Sequence, residues 1–241
     1  MKKFLVITGI LFLGNAVKAQ VLISILLGDK LNTGKIEFGL EGGWNWSNMT
    51  KLDPSKSLST FNLGFYFDIK LKHPSWMLNT GVIVKSAMGA DGLAVYSLRN
   101  NYLDSAFAGG EISRKISYFN VPIMMKYTFP NHIFLKAGTQ LGLRYNAHDE
   151  FKNTVVETND LVYKLKTKQE YHPLDAGLAF GAGYRLMKGN GMNFGLQYYY
   201  GLIDVVIDDS SPSHANRVLY LTAGIPIGKN PKKKTVEQPK N

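Results

Sequence analysis

The chain contains no cysteine. That excludes a disulfide, thiol catalysis and a lipid-modified cysteine behind an export signal. Beyond residue 27 there is no long apolar run of the kind a membrane-crossing helix needs, about 20 residues. Five histidines are spread along the sequence, and there is no His/Cys metal pattern, no GxGxxG and no Walker loop. Acidic residues are outnumbered, 18 against 28 lysines and arginines, for a net charge of +10. The excess sits at the ends: Lys2, Lys3 and Lys18 at the start, and Lys229, Lys232, Lys233, Lys234 and Lys240 in the last stretch. The body between is close to neutral, so a basic nucleic-acid-binding face is not expected.

The beginning of the chain reads as an export signal. Lys2 and Lys3 form its basic region, Phe4–Leu13 its apolar stretch, and Val17 and Ala19 the small residues before cleavage near Ala19/Gln20. Residues 20–35 follow as a short segment in which Val21–Asn32 is expected to form an amphipathic helix at the membrane surface. Residues 36–228 carry the patterned body, and 229–241 form a basic tail with too little apolar surface to fold.

Within the body, eight segments alternate apolar and polar residues, at 36–47, 60–71, 76–87, 117–129, 132–145, 173–186, 192–202 and 216–227. The gaps hold 12, 4, 29, 2, 27, 5 and 13 residues, long and short by turns. Segments of this length suit tilted strands crossing a hydrocarbon layer, with tight turns on one side and loops on the other. The pattern predicts an all-β fold: an eight-stranded antiparallel up-and-down transmembrane β-barrel, with short periplasmic turns and four longer extracellular loops. A soluble sandwich would alternate similarly, but it would not sort aromatics by height. Here Trp44, Trp46, Phe61, Phe119, Tyr145 and Tyr200 fall near the loop end of outward faces, and Trp76, Phe129, Tyr184 and Phe194 near the turn end. Two aromatic rings mark the two membrane interfaces.

Lys35–Asn48 (KIEFGLEGGWNWSN), Tyr118–Phe129 (YFNVPIMMKYTF), Gly177–Tyr184 (GLAFGAGY) and Phe194–Val205 (FGLQYYYGLIDV) resemble the PorT-type, OmpA/OmpX-like outer-membrane β-barrel domain family. The resemblance implies both termini in the periplasm of a bacterial outer membrane and no shared catalytic residues. It also implies the lipid bilayer with its lipopolysaccharide, and the barrel-assembly machinery, as partners. Two features depart from the pattern. The last segment closes on Ala223–Gly228 without a terminal aromatic, and Pro122 removes a ladder donor inside the fourth segment, where a bulge is expected.

An eight-stranded barrel is narrow enough for side chains to fill it. Inward parity collects Glu37, Glu41, Asp68 and Asp175 with Lys70, Lys85, Lys126, Lys136, Arg144 and Arg185. Buried charges need partners, so these ten are expected to form a structural ion-pair network rather than a conduit.

Catalytic groupings are sparse. Parity places His172 and Ser86 on the lipid side near the loop end, on strands too far apart for a nucleophile–base pair. Asp204, Asp208, Asp209, Ser210, Ser211, Ser213 and His214 in the last loop hold the pieces of a triad or a carboxylate–His pair, but Asp and Ser are ordinary loop residues and no calcium-loop spacing is present. No cofactor or metal is implied. Residues 89–116 and 146–172 mix aliphatic, aromatic and basic side chains, and Thr154–Lys168 predicts a hairpin above the membrane. The expected role is non-enzymatic, structural or surface-binding. The alternatives are an accessory part of a protein-secretion machine and a rim-active lipid or peptide hydrolase.

Overall fold

The computed structural model describes residues 34–52, 56–155, 161–189, 191–208 and 213–227. The expected export signal, the expected amphipathic helix over Val21–Asn32 and the basic tail lie outside the described residues.

The sheet contains β1 (Ile36–Met49), β2 (Leu58–Lys70), β3 (Trp76–Lys85), β4 (Ala87–Ala94), β5 (Glu111–Thr128), β6 (Ile133–Asn153), β7 (Leu161–Lys166), β8 (Leu174–Arg185), β9 (Asn193–Gly201) and β10 (Asn216–Pro226). A short helix, α1 (Asn101–Ala106), sits between β4 and β5. Eight strands close a ring in the order β1-β2-β3-β5-β6-β8-β9-β10, and β10 pairs back onto β1. Every pairing is antiparallel, as the up-and-down reading requires. A closed ring has no edge and satisfies its backbone groups internally, which hydrocarbon demands of any spanning structure. Among the described residues no helix is long and apolar enough to cross a membrane.

Alternation decides which side chains face where. On β2, Phe61 and Leu63 are exposed while Asn62, Tyr66 and Asp68 are buried inside the ring. Glycines let the wall close tightly: a Cβ on Gly43 would lie 1.9 Å from the Leu221 carbonyl oxygen across the β1–β10 seam. The lumen is filled in layers, with Tyr118, Tyr171, Tyr199 and Tyr220 almost fully buried toward the loop end. At mid-height Gln140 accepts from Gln197 Nε2 at 3.1 Å and reaches the Tyr220 hydroxyl at 3.4 Å.

Two irregularities differ from expectation. Pro122 stands in register opposite Gln140, so it produces no bulge there. The β3–β5 ladder instead lapses between Thr80↔Ile123 and Ile83↔Asn120, and the Thr80 hydroxyl donates to the Pro122 carbonyl at 2.8 Å. Losing one N–H costs one rung and leaves the register intact. Within the ring the shifts in register occur at Leu63/Gly64 against β3 and at Ser117/Tyr118 against β6, and β4 shifts against β5 between Ala90 and Leu93.

Candidate functional site

The strands run on where the sequence predicts loops. β5 has 18 residues and β6 has 21, continuing past the outer aromatic ring at Phe119 and Tyr145. Those two rings stack at 4.6 Å, and above them the alternation persists with different chemistry. Ile112, Arg114 and Ile116 lie on one face of β5, with Ser113, Lys115 and Ser117 on the other. Neither face is uniformly apolar, so this stretch suits water rather than lipid. β4 pairs with the outer part of β5, and β7 pairs with the outer part of β6. The result is a four-stranded sheet, β4-β5-β6-β7, standing beyond the barrel rim. The expected hairpin is present, but its first arm is the end of β6 itself, from His148 to Asn153.

This external sheet has its own core. Phe107, Ile112 and Phe151 are buried, and Leu93, Val95, Leu98, Leu103, Leu161, Tyr163 and Leu165 pack on them. Asn100 caps α1, its side chain accepting from the Tyr102 and Leu103 N–H groups. Asp104 Oδ2 accepts from Ser97 at 2.7 Å and Oδ1 from the Leu98 N–H at 2.6 Å, tying the helix to its leading loop. Such a self-packed extension is a folded element standing beyond the aromatic belt at Phe119 and Tyr145.

On its inner face lies a polar network with no counterpart among the residues singled out from sequence. Asp149, wholly buried, receives both Arg114 Nε at 3.0 Å and Arg114 Nη2 at 2.7 Å, and Tyr96 donates to it at 3.1 Å. Two parallel N–H···O bonds to a carboxylate fix geometry as well as charge. Burial, with Asp149 nearby, pushes the Tyr96 hydroxyl and the Glu170 carboxyl above their ordinary values. A cavity of about 500 Å³ opens beside this pair, lined by Arg114, Gln169, Glu170, Tyr171, Val206, Ile207, Asp208 and His214. Parity past Tyr145 would have revealed Asp149, except that the bulge at Ser117/Tyr118 shifts the count by one.

The opposite, outer face carries Lys115, His148, Glu150, Lys152 and Lys164. Glu150 accepts from Lys115 at 2.9 Å and has Lys164 at 3.6 Å. Burial opposes ionisation of Glu150, but the Lys115 contact outweighs it and holds the carboxyl below the usual range. Burial and then Lys115 push the His148 imidazole below its ordinary value, so it is neutral at pH 7.

The ten lumen residues expected to form one network are divided. Glu37 pairs with Arg185 and also accepts from the Tyr66 hydroxyl at 3.1 Å. Asp68 pairs with Lys126 at 2.6 Å and accepts from Asn79 at 2.7 Å. Lys136 is buried beside this layer, and among the described residues neither Lys136 nor Glu41 makes an ion pair. Asp175 is held by Asn216 Nδ2 at 2.8 Å rather than by a cation. Arg144 donates to the backbone carbonyls of His172 and Lys168 at the rim. Lys70 is exposed at the turn end, donating to the Gly34 carbonyl at 3.3 Å. Lys85 corrects the parity count: the register shift against β2 turns it outward, where its ammonium lies 5.8 Å from the Phe61 ring.

All ten aromatics assigned to the interfaces are outward and exposed: Trp44, Trp46, Phe61, Phe119, Tyr145 and Tyr200 toward the loop end, and Trp76, Phe129, Tyr184 and Phe194 toward the turn end. Trp44 meets Phe61 edge-on at 5.4 Å.

Among the described residues the catalytic candidates do not assemble; Asp209, Ser210 and Ser211 lie outside them. Ser86 is buried rather than lipid-facing, because the same shift that turns Lys85 out turns Ser86 in. Asp204 Oδ1 accepts from the backbone N–H groups of Val206 and His214, each at 3.0 Å, while the His214 ring contacts the Thr50 carbonyl at 2.8 Å. These contacts staple a loop; they do not couple a carboxylate to an imidazole. Among the described residues no group of His, Asp and Glu is placed to hold a metal ion.

Ring closure, outward aromatic belts and a filled polar interior define a small transmembrane β-barrel. The outer membrane protein beta-barrel domain family matches residues 20–206, most of the chain, and the protein belongs to that family. Among solved structures, the chain is similar to Ail, the attachment invasion locus protein of Yersinia pestis. Identity is 15%, covering 80% of this chain and 99% of that one, with a TM-score of 0.41. OprG from Pseudomonas aeruginosa is 13% identical, covering 80% and 93%, with a TM-score of 0.38. Neisserial surface protein A is 11% identical, covering 79% and 96%, with a TM-score of 0.37. Among curated proteins none matches the chain.

Proposed function

We propose that this protein is a surface-binding outer-membrane barrel whose contact organ is the external β4-β5-β6-β7 sheet with α1. In this reading the export signal is removed near Ala19/Gln20, the barrel occupies residues 36–228, and both termini are periplasmic. The loop end then faces outward among lipopolysaccharide, and the barrel-assembly machinery inserts the chain. One observation carries the reading: the strands that rise furthest from the rim build a sheet with its own apolar core, above a lumen packed with side chains. A barrel serving only as a membrane plug has no use for such an extension, and folded loops on a rigid scaffold are where binding residues concentrate. The positions of Ser86, His172 and His214 give a rim hydrolase no support. The PorT-type likeness, and the secretion-accessory role that goes with it, rest on sequence segments alone.

The test uses the protein in lipid nanodiscs, applied to an array of matrix proteins, glycans and bacterial surface polymers. Intact protein should bind at least one class of target. A variant with residues 95–110 and 154–166 replaced by short turns should keep its heat-modifiable barrel and lose that binding. Equal binding by both forms, or none by the intact form, contradicts the reading. In planar bilayers the intact protein should show no persistent open channel of the kind that barrels of 16 or more strands form.

A further inference from the structure

The cavity of about 500 Å³ at the loop end is walled by chain segments that their own backbones tie together. Tyr171 and Val206 form an antiparallel bridge. The Ile207 N–H donates to the Glu170 carbonyl at 3.0 Å, and the His172 N–H to the Val205 carbonyl at 2.8 Å. The Val205 N–H in turn donates to the His214 carbonyl at 2.9 Å. Glu170, Tyr171, Val206, Ile207 and His214 therefore line the cavity from one hydrogen-bonded frame. Its volume falls in the range of roughly 300–1,000 Å³ that small-molecule sites span.

The polar groups offered to that space are acceptors. Tyr171 is 1% exposed, and among the described residues its hydroxyl has neither a hydrogen-bond partner nor complete enclosure. His214 is buried, and its Nδ1 lies 2.8 Å from the Thr50 carbonyl. A carbonyl only accepts, so Nδ1 carries the hydrogen and the neutral ring presents Nε2 as an acceptor. Glu170 makes no ion pair among the described residues. Arg114 is the cation that acts on it, but Arg114 already gives Nε and Nη2 to Asp149. With Asp208 also in the lining, carboxylates outnumber uncommitted cations.

We infer that this cavity binds a small organic cation with a primary ammonium head and a short aliphatic body. An ammonium has three donors and no acceptor, which suits a carboxylate, a phenol oxygen and an imidazole nitrogen. Its bond to Glu170 is charge-assisted and therefore stronger than a neutral one. Burial and Asp149 hold the Glu170 carboxyl above its ordinary value, so this group gains more from an incoming cation than an exposed carboxylate does. The methylenes of the ligand cover Val206 and Ile207, removing apolar surface from water. A metal ion fits less well, because no group of His, Asp and Glu among the described residues is placed to hold one. An anion finds the one lining guanidinium already committed to Asp149. The acceptors lie outside the external sheet, so the site is independent of what that sheet binds.

The probe is putrescine, a diamine with a short methylene chain, titrated by calorimetry into the protein in nanodiscs of zwitterionic lipid. Empty nanodiscs serve as the blank. Binding should be saturable. Glu170→Gln should weaken it by about tenfold or more, and Tyr171→Phe, which keeps the ring and drops the hydroxyl, by about threefold. Tetramethylammonium, a cation without N–H donors, and butanediol, an uncharged isostere, should each bind about tenfold more weakly or worse. Both variants should keep the heat-modifiable barrel; if Glu170→Gln does not fold, Tyr171→Phe and the two analogues decide the matter on their own. Absence of saturable binding, unchanged affinity in the folded variants, equal affinity for tetramethylammonium, or a preference for butyrate would overturn the proposal.

Discussion

Single residues in this barrel are constrained by how little room eight strands enclose. Asp68 and Lys126 are both buried, and each is the other's charge partner at 2.6 Å. Removing one partner leaves an unpaired charge inside, which typically costs about 3–5 kcal/mol, whereas replacing both by apolar residues is often near neutral. Asp68→Leu or Lys126→Met alone should therefore lower the midpoint of unfolding in urea, and the double variant should recover most of the loss. A double variant as unstable as either single one would show that the pair does more than neutralise itself. Gly43 is limited by backbone approach: Gly43→Ala places a methyl against the Leu221 carbonyl, where strain of about 1–3 kcal/mol is expected. Gly34→Ala meets nothing within 4 Å and should be silent. The contrast is read from the heat-modifiable band on a denaturing gel.

At the scale of elements, the membrane strands and one arm of an external hairpin were legible, and the four-stranded sheet built on β5 and β6 was not. Eight segments with outward aromatics and inward polar residues announce themselves, because lipid on one side and a packed lumen on the other impose opposite chemistries on successive residues. Beyond Phe119 and Tyr145 that opposition ends. Ile112–Arg114–Ile116 and Ala147–Asp149–Phe151 mix charge with apolar surface on one face, so alternation alone does not distinguish them from loop. Parity also fails wherever a bulge intervenes, which is why Lys85 and Ser86 exchange the sides expected of them and why the Arg114–Asp149 pair was missed. Arg144 and Asp175 follow from parity as inward residues, yet side-chain amides and backbone carbonyls hold them where a cation–anion match was expected. The charged outer face of β6 carries a pH dependence of definite sign. His148 is held below its ordinary value of 6.5, so the unfolded hairpin binds its proton more readily than the folded one. Stability from this group is complete above that value and is lost as pH falls. Protection factors of the β6–β7 amides, with the intrinsic pH dependence of exchange removed, should fall as pH drops below about 6.5, while the membrane strands stay protected. His148→Gln should flatten that window, and an unchanged profile in the variant would assign the effect to another group.

For the whole molecule, two regions with different solvents share two long strands. The ring solves the backbone problem of the bilayer, and β5 and β6 then carry the same register outward to found a sheet that water can surround. Transport is disfavoured by the tyrosine and glutamine layers that fill the bore, and binding is favoured by the presentation of a folded sheet above it. Everything in that account depends on which end of the barrel faces the medium. The absence of cysteine allows this to be measured without background, by placing single cysteines at Gly109 beyond α1 and at Asn131 in the two-strand turn between β5 and β6. On intact cells a membrane-impermeant maleimide should label Gly109→Cys and spare Asn131→Cys, which should react only after the outer membrane is permeabilised. Labelling of Asn131→Cys from outside, with Gly109→Cys protected, would place the sheet in the periplasm and contradict the account.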